Sequence, residues 1–412
     1  MSVNMKELLK NRVFRIVITT DLIQHISIWI RNFALLFYVM ERTQNDPVAV
    51  SLLTVLEYIP IFLFSFIGGT LADRWNPKKT MITGDFLSAA SIVIILLLIS
   101  IGYWQAVFAA TLVSAIVSQF SLPSSSIMFK KHIPDGQVTN AMAVSQSSQS
   151  VFMIIGPVIG TLVYTTMGIT GSLVLITALF LCSALVQFLL PSSPRSSASS
   201  QSSILREMKE GLKYVATNRN LVIIACTFVF LGLGLGITQP LDVYIIVERL
   251  SLNKESLQFF YSLYGFGLLI GGAAAAAFTQ RLNTKAVLFV GCCFFSFSII
   301  VEVLSVWVVL TAGMRLLVGV MLAFVQIVLS TLLIKLVKEE YVGRVNGIIS
   351  PALVGGTLIG SSFAGFLMKS ASLIPTYFIS AGVIFIGALL CLGFKTEKSA
   401  LAEAEGINEA NV

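Results

Sequence analysis

Apolar runs of about twenty residues, the length a helix needs to cross a bilayer core, recur along this 412-residue chain with short polar segments between them. The pattern predicts spans near residues 14–40, 48–72, 80–102, 104–129, 138–164 and 168–190, then near 219–246, 256–279, 286–306, 308–334, 346–367 and 373–394. Between the sixth and seventh lies the one long polar stretch. It opens as a Ser-rich coil, Pro191 to Ser203, and continues as an amphipathic segment, Ile204 to Asn220, in which Arg206, Lys209, Lys213 and Arg219 stand beside Leu205, Met208, Leu212 and Val215. Such a segment suits a helix lying on anionic lipid headgroups. The expected organisation is an N-terminal six-helix bundle over 1–190, a cytoplasmic linker over 191–220, a C-terminal six-helix bundle over 221–396 and an acidic cytoplasmic tail over 397–412.

The second half repeats the first. Arg74, Asn76 and Lys78 after the second span fall on Arg281, Asn283 and Lys285 after the eighth with one shift of 207 positions, and Asn140 falls on Asn346 with a shift of 206. Parallel repeats of this kind build transporters with a substrate site at the midplane between the halves. The mean hydropathy of +0.90 and a charged fraction of 11% fit an all-α polytopic membrane protein. With the amino terminus inside, the outer loops keep only Arg42, Arg249, Lys254 and Lys369 of the 27 basic residues, apart from those within spans. The positive-inside rule then places both termini in the cytoplasm, and the net charge of +7 reads as a topology signal with no nucleic-acid partner implied.

Several classes are disfavoured. Asp21 and Gln24 interrupt the first apolar run, so it reads as a span and not as a cleavable leader. The five cysteines lie inside apolar runs without Cys-x-x-Cys spacing, His25 and His132 are far apart, and no Gly-x-x-x-x-Gly-Lys loop is present. No disulfide, metal site, cofactor or ATP site is expected, nor the constellation a membrane enzyme needs.

At Gly69 to Lys79 the chain resembles the major facilitator superfamily, matching its signature at Gly69, Leu71, Ala72, Asp73, Arg74 and Lys78. Asn76 stands where that signature has Gly, and is expected to take the left-handed turn the Gly would supply, with Pro77 fixing the turn after it. Gly156-Pro157-Val158-Ile159-Gly160 resembles the fifth-helix motif of the superfamily's antiporters. Pro123, the Ala-Met-Ala after Asn140, Glu210 to Tyr214, Asp85 and Gly343 to Gly347 are similar to the branch that includes macrolide efflux pumps and enterobactin exporters. The resemblance implies a secondary transporter, a proton-driven exporter of an amphiphilic small molecule such as an antibiotic, drug or siderophore, working as a monomer in the cell membrane. An uptake carrier or a lipid flippase of the same fold is the alternative. It also implies gating roles for Asp73, Arg74, Lys78, Asp85, Gly156, Pro157 and Gly160, and a Pro inside a span bends it in any case.

A charge at bilayer depth costs about 3 kcal/mol or more, which makes each such residue a functional candidate. Asp21, Arg31, Glu57 and Asp85 occupy the first half, and Glu302 and Arg315 the second. Asp21, Gln24, Ile28 and Arg31 share one side of a helix. Asp21 lies about 10 Å into its span, and reads either as a proton carrier or as a residue reaching the inner interface. Arg31 and Glu57 lie at about the same depth, roughly 13 Å from the outer surface, and are expected to pair, as a coupling device or as a structural ion pair. Gln24, Gln146, Gln149, Gln239, Tyr261, Tyr264, Gln326 and Arg315 are the candidate cavity wall, with bonding between helices the plainer role for the same polar residues. The runs Gly232-x-Gly234-x-Gly236, Gly267-x-x-x-Gly271 and Gly356-x-x-x-Gly360 read as close helix contacts.

Overall fold

A computed structural model describes residues 5–65, 75–191, 204–278 and 284–394, and among these no strand occurs. Asp73 and Arg74 lie outside the described residues. Among the described residues eleven continuous helices are long and apolar enough to cross a membrane. One of them, Asp135–Gln187, holds Gly168 at φ 63°, ψ −171°, outside helical geometry. Divided there it supplies two crossings, which brings the total to twelve. Glycine bears this left-handed backbone without the steric cost of a Cβ.

In chain order the crossings are α1 (Arg12–Arg42), α2 (Pro47–Ser65), α3 (Pro77–Ser100), α4 (Ala106–His132), α5 (135–167) and α6 (169–187). They continue with α7 (Arg219–Thr238), α8 (Leu257–Phe278), α9 (Thr284–Leu304), α10 (Val308–Leu336), α11 (Val342–Ala371) and α12 (Leu373–Cys391). No more than half of the apolar window of any crossing is buried. Side chains such as Leu185 and Phe363 stay exposed at 64% and 59%, as expected of helices whose outer faces meet lipid.

Local chemistry sets the helix starts. Asn11 caps α1, its Oδ1 accepting from the backbone N–H groups of Val13 and Phe14. Asn76 does not take the expected left-handed turn. It is extended at φ −74°, ψ 113°, and caps α3 by accepting from Lys79 N, with Pro77 following as the first helical residue. The capping role displaces the turn role because Pro77 restricts the residue before it to extended backbone. The linker helix is Ile204–Thr217, shorter than the expected segment because Asn218 is already the cap of α7. Its Gly211 lies against Arg344 and Ile348 of α11, Tyr214 stacks on Tyr341 at 4.4 Å, and Glu210 pairs with Arg344 at 3.3 Å.

The chain divides into two compact units. One holds the described residues up to 191 together with Asn253–Gly265, and the other holds 204–252 and 266–394. In the first, α1 packs on α5, α2 on α4, and α3 on α4 and α6. Gly156 and Gly160 make the α1–α5 contact, because a Cβ at either would run into Trp29 or Phe33. The segment 253–265, second-half by sequence, adds to this unit: Tyr261 meets the Phe33 ring edge-on at 6.0 Å and Ser262 donates to Ile154 O. In the second unit α7 packs on α11, α8 on α10, and α9 on α10 and α12. These are the same pairings advanced by six helices. The glycine runs form the contacts: Gly232 and Gly236 face the backbone of Leu353 and Thr357, while Gly356 and Gly360 face that of Val229 and Leu233. With no side chain between them the backbones approach directly, as in small-residue helix pairs.

Two lysines repeat one fastening. Lys78, at the start of α3, donates to the carbonyl oxygens of Phe188 (2.9 Å) and Leu190 just past α6. Lys285, at the start of α9, donates to Leu392 O just past α12 at 2.6 Å. Each cation neutralises the partial negative charge of a helix carboxyl end.

Candidate functional site

Polar residues of α1 meet partners on four other helices of the first unit. Asp21 is 7% exposed, and accepts at 3.1 Å from the hydroxyl of Ser125 on α4 and at 3.1 Å from that of Ser145 on α5. One turn on, Gln24 Nε2 donates to Asp85 Oδ1 of α3 at 2.8 Å. The other oxygen, Asp85 Oδ2, accepts from Gln187 Nε2 of α6 at 2.9 Å. Among the described residues neither Asp21 nor Asp85 has a basic side chain within ion-pair reach, and both are held by neutral donors alone.

Farther along α1, Arg31 is 4% exposed. It donates to Ser114 of α4 and to Asn32 Oδ1, and its Nη2 lies 3.8 Å from Glu57 Oε1 of α2. The expected neighbours are thus brought together at long ion-pair range, and Glu57 keeps a third of its side chain exposed. At the end of α1, Glu41 accepts from Tyr164 at 2.8 Å and pairs with Lys254 at 2.6 Å, and the ammonium sits over the rings of Phe37 and Tyr164.

The second unit holds a different cluster. Arg315 of α10 makes a two-pronged bond to Asp242 (2.6 and 3.1 Å) and lies 2.8 Å from Glu302 of α9. All three side chains are largely buried, leaving one excess negative charge when both acids are ionised. Arg315, a candidate for the cavity wall, is engaged in this triad. Asp242 escaped the sequence reading although it sits beyond Pro240 inside an apolar run, the signal that singled out Asp21 and Glu302. Gln187, Ser125 and Ser145 were missed too, being ordinary polar residues in their helices until Asp85 and Asp21 are placed beside them.

Gln146 Nε2 bonds Gln149 Oε1 at 2.9 Å on an exposed stretch of α5, Gln239 and Gln326 are exposed, and Tyr261 and Tyr264 are half-buried on α8. Gln24 is committed to Asp85. Pro157 lies within α5, directly after the Gly156 that meets Trp29.

A twelve-helix membrane fold in two six-helix halves, with buried charge inside each, defines a transporter and not an enzyme. The chain belongs to the Major Facilitator Superfamily, whose pattern it matches over residues 20–252 and 224–409. It is 22% identical over 396 residues to the uncharacterized MFS-type transporter YkuC of Bacillus subtilis, covering 92% of this chain and 91% of that one. It is 24% identical over 356 residues to macrolide efflux protein A of Streptococcus pyogenes, covering 81% and 85%. The fold is similar to that of the nucleoside transporter NupG, with a TM-score of 0.77 at 14% identity over 93% of this chain and 98% of that one. A D-xylose–proton symporter is similar at a TM-score of 0.72 and 12% identity, over 94% and 98%.

Proposed function

We propose that this chain is a proton-coupled exporter of an amphiphilic small molecule such as an antibiotic, drug or siderophore, exchanging it for protons across the cell membrane. It works as a monomer with both termini in the cytoplasm. The observation that carries the reading is Asp21, a buried carboxyl group held by the Ser125 and Ser145 hydroxyls with no described cation beside it. Such a group takes up and releases a proton without breaking an ion pair. Arg31 and Glu57 form the second coupling element: separating them exposes a carboxylate to the proton supply, and joining them expels the proton. The outward direction and the amphiphilic class are supported by similarity to macrolide efflux protein A. Asp73 and Arg74, with Lys78, Asp85, Gly156, Pro157 and Gly160, are the proposed gating parts.

The test is substrate-stimulated proton movement in proteoliposomes holding a pH-reporting dye. A macrolide, added on the side from which the carrier loads, is expected to drive protons the opposite way. Co-directional movement would make the protein an uptake carrier. Transfer of a labelled lysophospholipid between leaflets, with no response to the macrolide, would make it a flippase.

A further inference from the structure

Gln187 carries an anomaly that bonding between helices does not explain. Its side chain is fully buried, and its amide nitrogen donates to Asp85 Oδ2 at 2.9 Å and to Ser183 Oγ at 3.3 Å, yet among the described residues its carbonyl oxygen Oε1 accepts from nothing. A buried acceptor without a partner forfeits its bond to water, and orphans of this kind in a native interior call for an explanation. This one sits on the residue that holds an unpaired buried carboxyl group.

The surroundings narrow what the arrangement can bind. Asp85 is 2% exposed and faces Gln24 and Asp21 from α1 and Ser183 and Gln187 from α6. From α4 the neighbour of Gly84 is Ser121, whose buried hydroxyl also has no partner among the described residues. Of these groups only Asp21 is ionisable, and its charge has the same sign as that of Asp85. On the same helix, Lys78 is committed to the carbonyls past α6 and Lys79 lies on an exposed turn. With both carboxylate oxygens receiving N–H donors, the arrangement fits ionised Asp85. A proton added to Asp85 Oδ2 gives the carboxyl group an O–H to donate, and the unfilled acceptor beside it among the described residues is Gln187 Oε1.

We propose that Asp85 is a proton-binding site whose state is read by Gln187. When Asp85 takes up a proton, the Gln187 amide turns over and its carbonyl oxygen accepts the new O–H. Gln187 keeps two hydrogen bonds through the exchange. Before it, Nε2 donates to Asp85 and to Ser183; after it, Oε1 accepts from the Asp85 hydroxyl and from the Ser183 hydroxyl, which gives up its own bond to Asp85, and the amide N–H groups point where Oε1 now lies. One proton enters and no covalent bond other than its own O–H forms. The Gln187 oxygen leaves no described partner behind when it turns. The consequence is mechanical: Asp85 joins α1 and α6 through α3, and protonation changes the sense of the α3–α6 bond.

The inference rests on the reading of the chain as a proton-coupled carrier, so the test is made without transport. Infrared difference spectra of the purified full-length protein are recorded against pH, with no substrate or gradient, in the range of the carboxylic-acid C=O stretch. A band that appears on acidification and is missing from Asp85→Asn is expected. In Gln187→Met, which fills the same space without an acceptor, the band moves to higher frequency as the O–H loses its partner. Gln24→Met, which removes the donor to Oδ1, also raises the C=O frequency, so the O–H stretch is followed alongside: it moves to higher frequency in Gln187→Met and not in Gln24→Met. A band that survives Asp85→Asn, or one whose frequency is the same with Gln187→Met, overturns the proposal. Size-exclusion profiles identify any variant that fails to fold; should Gln187→Met do so, the band shift on Gln187→Leu decides. If the spectra behave as expected while proteoliposomes show no coupled proton flux, the exchange reading fails and the Asp85 switch stands.

Discussion

Lys254 and Glu41, 213 positions apart in the chain, meet with Nζ 2.6 Å from Oε1. Tyr164 completes the contact by donating to the other carboxylate oxygen. Glu41 is half exposed, so the pair contributes about 1 kcal/mol or less to stability. Its value lies in where it is, tying the segment that opens α8 to the ends of α1 and α5. Lys254→Gln is expected to leave thermal stability nearly unchanged and to alter transport rate. Cysteines at both positions, joined by a short reducible crosslinker, are expected to arrest transport until reductant is added. Full transport by the crosslinked protein would show that the tie persists through the cycle.

Asp21→Asn keeps the shape of the site and removes the ionisable group. Proton-driven accumulation in vesicles is expected to fall at least about tenfold, equivalent to roughly 1.4 kcal/mol of coupling, while exchange down a substrate gradient continues. The pH dependence of exchange should flatten at the same time. Loss of both activities together would assign Asp21 to folding or substrate binding.

Glu57→Gln addresses the other coupling element. Arg31 retains Ser114 and Asn32 when Glu57 is neutralised, so the folded protein should lose no more than about 1–2 kcal/mol by calorimetry in detergent. Accumulation against a gradient should nevertheless cease. Normal pumping by this variant would confine proton coupling to the uncompensated acids.

The triad of the second unit predicts an asymmetry between its members. Arg315→Gln strands two buried carboxylates, and removing one partner of a buried ion pair typically costs about 3–5 kcal/mol. Glu302→Gln, which removes the excess negative charge and leaves the two-pronged Arg315–Asp242 bond intact, should cost far less. Thermal unfolding in detergent measures both, and equal losses would mean that packing and not charge holds the cluster.

Glycine substitutions separate contact from mere presence in a helix. A Cβ at Gly360 would press on the backbone of α7 at Leu233, whereas one at Gly272 meets nothing within 4 Å. Gly360→Ala should therefore cost about 1–3 kcal/mol through overpacking. Gly272→Ala should be neutral or stabilising by up to about 1 kcal/mol, since alanine is the better helix former. Similar stability changes in the two variants would count against close α7–α11 contact.

The spans were legible because lipid imposes a length and a composition on any helix that crosses it. The break at Gly168 fell where the sixth apolar run was predicted to begin. The α1 stripe of Asp21, Gln24 and Arg31 was legible because helical periodicity is local. Their partners were not: Ser125 and Ser145 lie 104 and 124 positions from Asp21, and Asp85 lies 61 from Gln24. No periodicity within one helix announces a hydrogen bond made across two. Asn76 was misread for a related reason, since the same side chain suits a left-handed turn or a helix cap, and only the extended backbone before Pro77 selects the cap.

Lys78 and Lys285 hold the ends of α6 and α12 in the same way, one in each half. Beyond those fasteners the halves part company: at the shift that superposes the two lysines, Asp85 falls on Cys292, an acid in one copy and a thiol in the other. The repeat thus carries over its fasteners and not its charges: the two halves stand up in the same way and handle charge differently.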